Sequence, residues 1–191
     1  MTEEINETRI KILEAAADLV GRERNLSLTI REIARRAGVN IASVNYYFGS
    51  KEKLLEEVEQ LLMNNIRGIY AGLNNSELPV RERLVTWADQ LIRHLVDYPG
   101  IIYLIGTRVI ERENTCLNVY RGLLETDIMP LVKELSGLDD RKAGFRVLTL
   151  ISGVVYPVLI YSSDNQTAGI DISNDQLRRE YIETLVEGLG I

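Results

Sequence analysis

Apolar residues recur along this chain at intervals of three and four for nearly its whole length, the period of helices with one buried face. Ile12, Leu13, Ala16, Leu19 and Val20 form the first stripe and predict a helix over 7–22. Ile30, Ile33, Ala34 and Ala37 form the second, and Gly38 supplies a left-handed stop behind them. Val44 and Phe48, with Val39 anchoring the turn before them, predict a very short third helix over 41–47. A long fourth helix over 51–73 carries Leu54, Leu55, Val58, Leu61, Leu62, Ile66, Ile69 and Leu73. The fifth opens with Pro79 at its first position, carries Leu84, Ala88, Leu91, Ile92 and Leu95, and ends at Tyr98-Pro99-Gly100. A sixth follows over 101–113. The seventh starts near Asn114 and carries Leu117, Tyr120, Leu124, Ile128, Leu131 and Leu135, with Pro130 predicting a kink near Thr126. Asp139-Asp140 opens an eighth over 139–161, which has Pro157 as a second kink. After a polar loop over 162–172, a capping box Ser173-x-x-Gln176 starts a ninth helix carrying Leu177, Ile182, Leu185, Val186 and Leu189. No segment alternates with the period of a strand. The fold class expected is all-α, with three helices in a small N-terminal domain (1–53) and six in a bundle (54–191) entered by helix 4.

The stretch from Thr29 to Leu54 carries the most specific chemistry. Thr29-Ile30-Arg31-Glu32 is a capping box, and the helix it opens leaves Arg31, Arg35 and Arg36 outward. Asn40 caps the next helix. That helix is too short to be stable alone, so packing must hold it. Ile41, Ser43, Asn45 and Tyr46 stand off its Val44 edge, and Lys51 follows within a turn. A methyl-bearing chain, a hydroxyl, an amide and a phenol suit base edges and phosphates in a DNA major groove. Helix, glycine turn, short polar-faced helix and flanking cations together have the layout of a helix-turn-helix.

Residues 9–55 resemble the DNA-binding domain of the tetracycline-repressor (TetR) family of bacterial transcriptional regulators. The likeness rests on Ile33-Ala34, then Ala37-Gly38-Val39, four variable residues, Val44, and the run Tyr46-Tyr47-Phe48 with Ser50-Lys51-Glu52 and Leu54. The resemblance implies that Thr29, Arg31, Asn40, Ile41, Ala42, Ser43, Asn45, Tyr46, Tyr47 and Lys51 occupy DNA-contacting positions. Tyr46, Tyr47 and Lys51 would bind phosphates, while Arg31 can pair with guanine, Asn45 with adenine, and Ile41 can touch a thymine methyl. The family usually has an aromatic at Val20 and at Asn45, a polar residue at Ile41, and a Gly-aromatic pair at Arg24-Asn25, so its base preferences do not transfer. Asn25 is expected to take the left-handed stop that glycine usually provides.

Charge agrees once its distribution is considered. The net charge is −6, yet 20–53 holds seven Lys/Arg against three Glu, and the chain from Leu54 onward holds 13 against 20 Asp/Glu. Cations gather where phosphates would lie, and the acidic remainder would stay off DNA. At 46% hydrophobic and 26% charged, the 191 residues suit a globular protein. Cys116 and His94 are each the single residue of their type, so no disulfide framework or Cys/His metal site is expected. The N-terminus lacks signal-peptide character, and apolar runs such as 151–161 are read as too short and interrupted to span a bilayer. A cytoplasmic protein is expected. Glycine-rich phosphate loops and nucleophile motifs are absent, so no enzyme, cofactor or metal is expected. His94 reads as surface or core, and Cys116 as a small hydrophobe.

Nine Tyr against two Phe is unusual. Aromatics at helical spacing ordinarily fill a core, but tyrosine tips need partners when buried and would suit a small organic ligand. Ile66, Tyr70, Trp87, Tyr103, Arg108, Tyr120, Tyr156 and Tyr161 are the candidate lining. The resemblance implies a homodimeric repressor released from a near-palindromic operator by a small organic effector. The alternative is a regulator whose second domain serves only dimerisation or a protein partner. Helices 8 and 9 offer Leu150, Ile151, Val154, Val158, Leu185 and Leu189 for a dimer, with Gly153 allowing close approach, unless those stripes fill the domain's own core. Helix 4 is the one element whose stripe runs from reader to bundle, which makes it the expected switch.

Overall fold

The structure is a computed structural model and describes residues 2–111, 114–160 and 171–189. It is all-α among the described residues, with helices α1 (Thr2–Gly21), α2 (Ile30–Ala37), α3 (Ile41–Phe48), α4 (Lys51–Ala71), α5 (Val80–Asp97), α6 (Gly100–Glu111), α7 (Asn114–Leu123), α8 (Met129–Ser136), α9 (Asp140–Ile160) and α10 (Asp175–Glu187). The expected seventh helix is the α7–α8 pair, and the expected helices 8 and 9 are α9 and α10. Pro130, with no N–H to give, interrupts α-helical bonding one turn earlier. The chain absorbs this as a π turn over Leu124–Ile128 instead of a break, with the Thr126 hydroxyl bonded to the Gly122 carbonyl at 2.8 Å. Two caps also differ from expectation. Asn174, not Ser173, caps α10, because its Oδ1 accepts from the Gln176 and Leu177 amides while Ser173 turns back to Asp171. Pro79 stands just ahead of α5, where its carbonyl accepts from the Arg83 amide.

The chain divides into two compact units, one of 1–65 with 97–104 and one of 66–96 with 105–191. In the first, Ile12, Ala16, Leu19 and Val20 of α1 are buried with Leu28, Ile33, Val44, Phe48, Leu54 and Val58. The loop after α1 turns on Arg24 at φ 56°, not on Asn25, whose carboxamide instead accepts from the Ser27 amide. Arginine has no intrinsic liking for this conformation; the Asn25 amide just beyond it donates back to the Leu19 carbonyl at 3.1 Å, and the Arg24 guanidinium lies 5.7 Å from the Tyr103 ring centre. The corner 97–104 packs on the end of α1. A Cβ on Gly100 would lie 1.8 Å from the Val20 carbonyl oxygen, so glycine is required for this approach. Arg22 donates to the Tyr98 hydroxyl at 2.7 Å and covers its ring. Helix α4 is therefore not alone in belonging to both units: α5 enters the first at Asp97 and α6 leaves it after Leu104.

In the second unit α5 is the central helix, with Val80, Leu84, Val85, Trp87, Ala88, Leu91, Ile92 and Leu95 all buried. Arg178 is the one buried charge among the described residues, at 2% exposure. It donates to Asp89 at 2.7 Å, to Asp175 at 2.6 Å, and to the Ile172 and Ser173 carbonyls. Four acceptors offset its desolvation and tie the start of α10 to α5. Helices α9 and α10 meet at Gly153, where a Cβ would lie 2.5 Å from Leu185, and Tyr181 donates to the Gly153 carbonyl at 2.6 Å.

Two expectations about α9 change as a result. Leu150, Val154 and Val158 on α9, and Leu189 after α10, are buried within the protomer, Ile151 and Leu185 are half-buried, and Gly153 serves the α9–α10 contact. A different apolar face stays exposed: Phe145 at 61%, Leu148 at 62%, Tyr156 at 61% and Leu159 at 44%. An 18-residue window of α9 reaches a mean hydropathy of 1.8, so by length and composition alone this helix could cross a bilayer, where the sequence reading took 151–161 as too short. Its Val-Leu face is filled by the unit's own core, which is the use made of it here.

Replacing Arg178 by Met should lower unfolding free energy by about 3 kcal/mol, because Asp89 and two carbonyls lose their donor. Urea denaturation checks this; a midpoint unchanged from wild type would show that the four bonds contribute nothing net.

Candidate functional site

The reading segment is built from its caps outward. The Thr29 hydroxyl accepts from the Glu32 amide at 3.2 Å while the Glu32 carboxylate takes the Thr29 amide at 2.7 Å. These bonds hold the Glu32 carboxyl below the ordinary range, with Arg35 and Lys51 adding to the effect. Gly38, at φ 68°, returns its amide to Ala34 and Arg35. Asn40 Oδ1 accepts the Ser43 amide at 2.7 Å and the Ser43 hydroxyl at 3.0 Å, which opens α3 two residues after the stop. Gly49, at φ 74°, closes it, and the Ser50 hydroxyl accepts the Lys53 amide to open α4.

Within α3 only Val44 and Phe48 are buried. The Arg9 guanidinium lies 5.2 Å from the Phe48 ring centre and pairs with Glu57, closing the back of the helix. The other face is open. Thr29, Arg31, Asn40, Ile41, Ala42, Asn45 and Tyr46 are exposed, and Ser43, Tyr47 and Lys51 are half-buried. Tyr46 projects furthest, at 77% exposure, with its ring edge-on to Tyr47 at 5.1 Å. The ten candidate DNA-contacting residues thus lie on α2, α3 and the start of α4 as one segment. Thr29 and Asn40 spend their side-chain oxygens on caps, while Arg31, Ile41 and Asn45 stand exposed.

The cations of this stretch separate into two groups. Arg22 pairs with Asp18, Arg36 with Glu23, and Arg24 covers Tyr103. No ion pair among the described residues engages Arg31, Arg35, Lys51 or Lys53. Arg35 and Lys53 are exposed and were not singled out from sequence, although both fall in the cationic stretch.

The candidate lining of the bundle divides as well. Ile66, Tyr70 and Trp87 are buried, and the Tyr70 and Trp87 rings meet edge-on at 5.3 Å. Burial raises the Tyr70 hydroxyl well above its ordinary range, with Tyr120 and Asp127 adding to the effect, and pushes Tyr120 up to about 12. Both phenols therefore keep their protons at any physiological pH. Arg108 is half-buried, Tyr156 is exposed on α9, and Tyr103 belongs to the first unit. Tyr161, the loop 162–170 and the Cys116 side chain lie outside the described residues. Arg83 and Asp127 were missed by sequence reasoning. The signal for Arg83 was available, since it precedes Trp87 by four residues and shares its face of α5. No group of His, Cys, Asp and Glu among the described residues could hold a metal ion.

The profile of the bacterial regulatory proteins of the tetR family matches residues 12–58. An HTH-type transcriptional regulator BetI from Rhizobium meliloti is 36% identical over 138 residues, covering 69% of this chain and 68% of that protein. In fold, the chain is similar to a TetR-family transcriptional regulator from Streptomyces coelicolor, at TM-score 0.70 and 16% identity, covering 96% and 94% of the two chains. It is also similar to the TetR-like regulator LfrR from Mycobacterium smegmatis, solved in complex with proflavine, at TM-score 0.65 and 14% identity, covering 99% and 96%.

Arg31→Ala should cost about 1–3 kcal/mol on the cognate site and relax preference at one base pair. Lys51→Ala should weaken all DNA sequences alike and reduce the salt slope by about one unit. Titrations of both variants at several salt concentrations check this, and unchanged affinity in both would remove the face from the account.

Proposed function

Since the chain belongs to the TetR family of bacterial regulatory proteins and is a DNA-binding transcriptional regulator, we propose that it acts in the cytoplasm as a homodimeric repressor, released from a near-palindromic operator by a small organic effector. We assign DNA reading to residues 1–53, with the ten residues of α2, α3 and the start of α4 named above, and effector binding and dimerisation to 54–191. The single observation that carries DNA reading is the open face of α3 above a buried Val44–Phe48 edge, flanked by cations with no ion pair among the described residues.

Eight residues of helix present too few base contacts for a specific site, so two readers must act together. The exposed Phe145, Leu148, Tyr156 and Leu159 support a dimer through α9, with α10 beside it. These side chains recur at intervals of 3, 8 and 3 along α9, which keeps them on one stripe, as a helix-to-helix seam about a two-fold axis requires.

The effector reading rests on Ile66, Tyr70, Trp87 and Tyr120, with Arg108 as a further candidate, since Tyr156 stands on the exposed α9 stripe. LfrR, of similar fold, binds proflavine. Ile66 and Tyr70 sit in the last turns of α4, whose first residue is Lys51, so a ligand pressing on them would turn the reader through one continuous helix. The routes through α5 and α6 add to it, because both helices reach the 97–104 corner that packs on α1. Readers moved by a few ångströms lose register with half-sites about one DNA turn apart. Linkage then requires DNA and effector to weaken each other's binding equally, typically by about 1–3 kcal/mol.

Light scattering at micromolar concentration should give twice the chain mass. Phe145→Asp with Leu148→Asp should give a folded monomer that binds operator DNA at least about a hundredfold more weakly, since one half-site is lost. A wild-type monomer would refute the dimer. An effector bound equally well with and without operator would refute release.

A further inference from the structure

Three buried donors in the second unit have no protein partner among the described residues: the Tyr70 hydroxyl, Arg83 Nε and Trp87 Nε1. They are close neighbours. Arg83 and Trp87 are one turn apart on a single face of α5. The Tyr70 ring stands against Trp87, and Arg83 Nη1 reaches the Leu73 carbonyl at 3.1 Å, one turn beyond Tyr70. Tyr70 and Trp87 are each only 1% exposed.

All three groups offer protons. An indole N–H and a guanidinium cannot accept, and a phenol that keeps its proton donates first. A buried donor without an acceptor costs about 1–3 kcal/mol, a cost that the four acceptors around Arg178 spare that side chain. The nearby acid, Asp127, takes the Thr126 hydroxyl at 3.1 Å, and it lies in the π turn, a local irregularity frequent at functional sites.

We propose that the effector is an apolar small molecule carrying a carbonyl or carboxylate oxygen, which accepts hydrogen bonds from Tyr70, Arg83 and Trp87. This inference rests on the effector-released reading given above. A protonated or quaternary amine has no lone pair for these donors and meets Arg83 as a like charge. The edge-on Tyr70–Trp87 pair offers ring surface for the apolar body.

Trp87 is the only tryptophan of the chain, so intrinsic emission reports this site alone. Benzamide, benzoate, toluene and benzyltrimethylammonium share a ring and differ in the group offered to the donors. Benzamide and benzoate should change Trp87 emission saturably, with at least about tenfold lower Kd than toluene. Tyr70→Phe keeps the ring and removes one donor, and should reduce that preference to about threefold. Arg83→Met should weaken benzoate more than benzamide if a carboxylate is the natural group, and both equally if it is a neutral carbonyl. Three results overturn the proposal: no probe binding at millimolar concentration, toluene or the ammonium probe binding as tightly as the oxygen pair, or an unchanged oxygen preference in both variants. If the preference holds but saturating benzoate and benzamide leave operator affinity unchanged, the release reading fails and the oxygen site stands.

Discussion

An eight-residue helix cannot support itself in water, and everything the first unit does follows from that constraint. Helix α3 spends two residues, Val44 and Phe48, on burial and turns the rest outward. What those two cannot supply comes from its ends: Asn40 and Gly49 close it, while the Thr29–Glu32 box and Gly38 fix the helix before it. Because the caps carry the geometry, the exposed positions are free to vary. This explains how Ile41 and Asn45 can depart from the family's usual residues without disturbing the scaffold.

The second unit handles buried polarity in two ways. Around Arg178 every donor used has an acceptor, and the result is a fastening between α5 and the start of α10. Along the α4–α5 hairpin, Tyr70, Arg83 and Trp87 keep donors without partners among the described residues. The fastening at Arg178 is thus separate from the hairpin site that we propose for the effector. The same hairpin contains the last turns of α4, so the groups assigned to the effector and the groups assigned to DNA belong to one helix and its flanks.

Much of this was legible in the sequence where local chemistry decides the outcome. The capping box, Gly38 and Asn40 act within four residues of themselves, so their spacing sufficed to place α2 and α3. Where distant parts of the chain decide, spacing was not enough. Nothing local distinguishes Leu150 and Val154, which fill the core, from Phe145 and Leu148, which do not; both sets have helical period, and only packing selects the buried one. Arg24 rather than Asn25 takes the left-handed turn, with its guanidinium beside Tyr103, nearly eighty residues on. The π turn near Thr126 was foreseen as a kink but not as a change of hydrogen-bond register. The burial of Arg178 was not legible because one acceptor, Asp89, comes from distant α5, although Asp175 and the Ile172 and Ser173 carbonyls lie within six residues of it.

The central claim is that two copies of the α3 face read DNA together. Selection of bound sequences from a random duplex pool by the wild-type protein tests it most directly. The account predicts enrichment of a near-palindrome whose half-site centres lie about one helical turn, roughly 10 base pairs, apart. Recovery of unrelated sequences with no symmetry, or of a lone half-site, would contradict it.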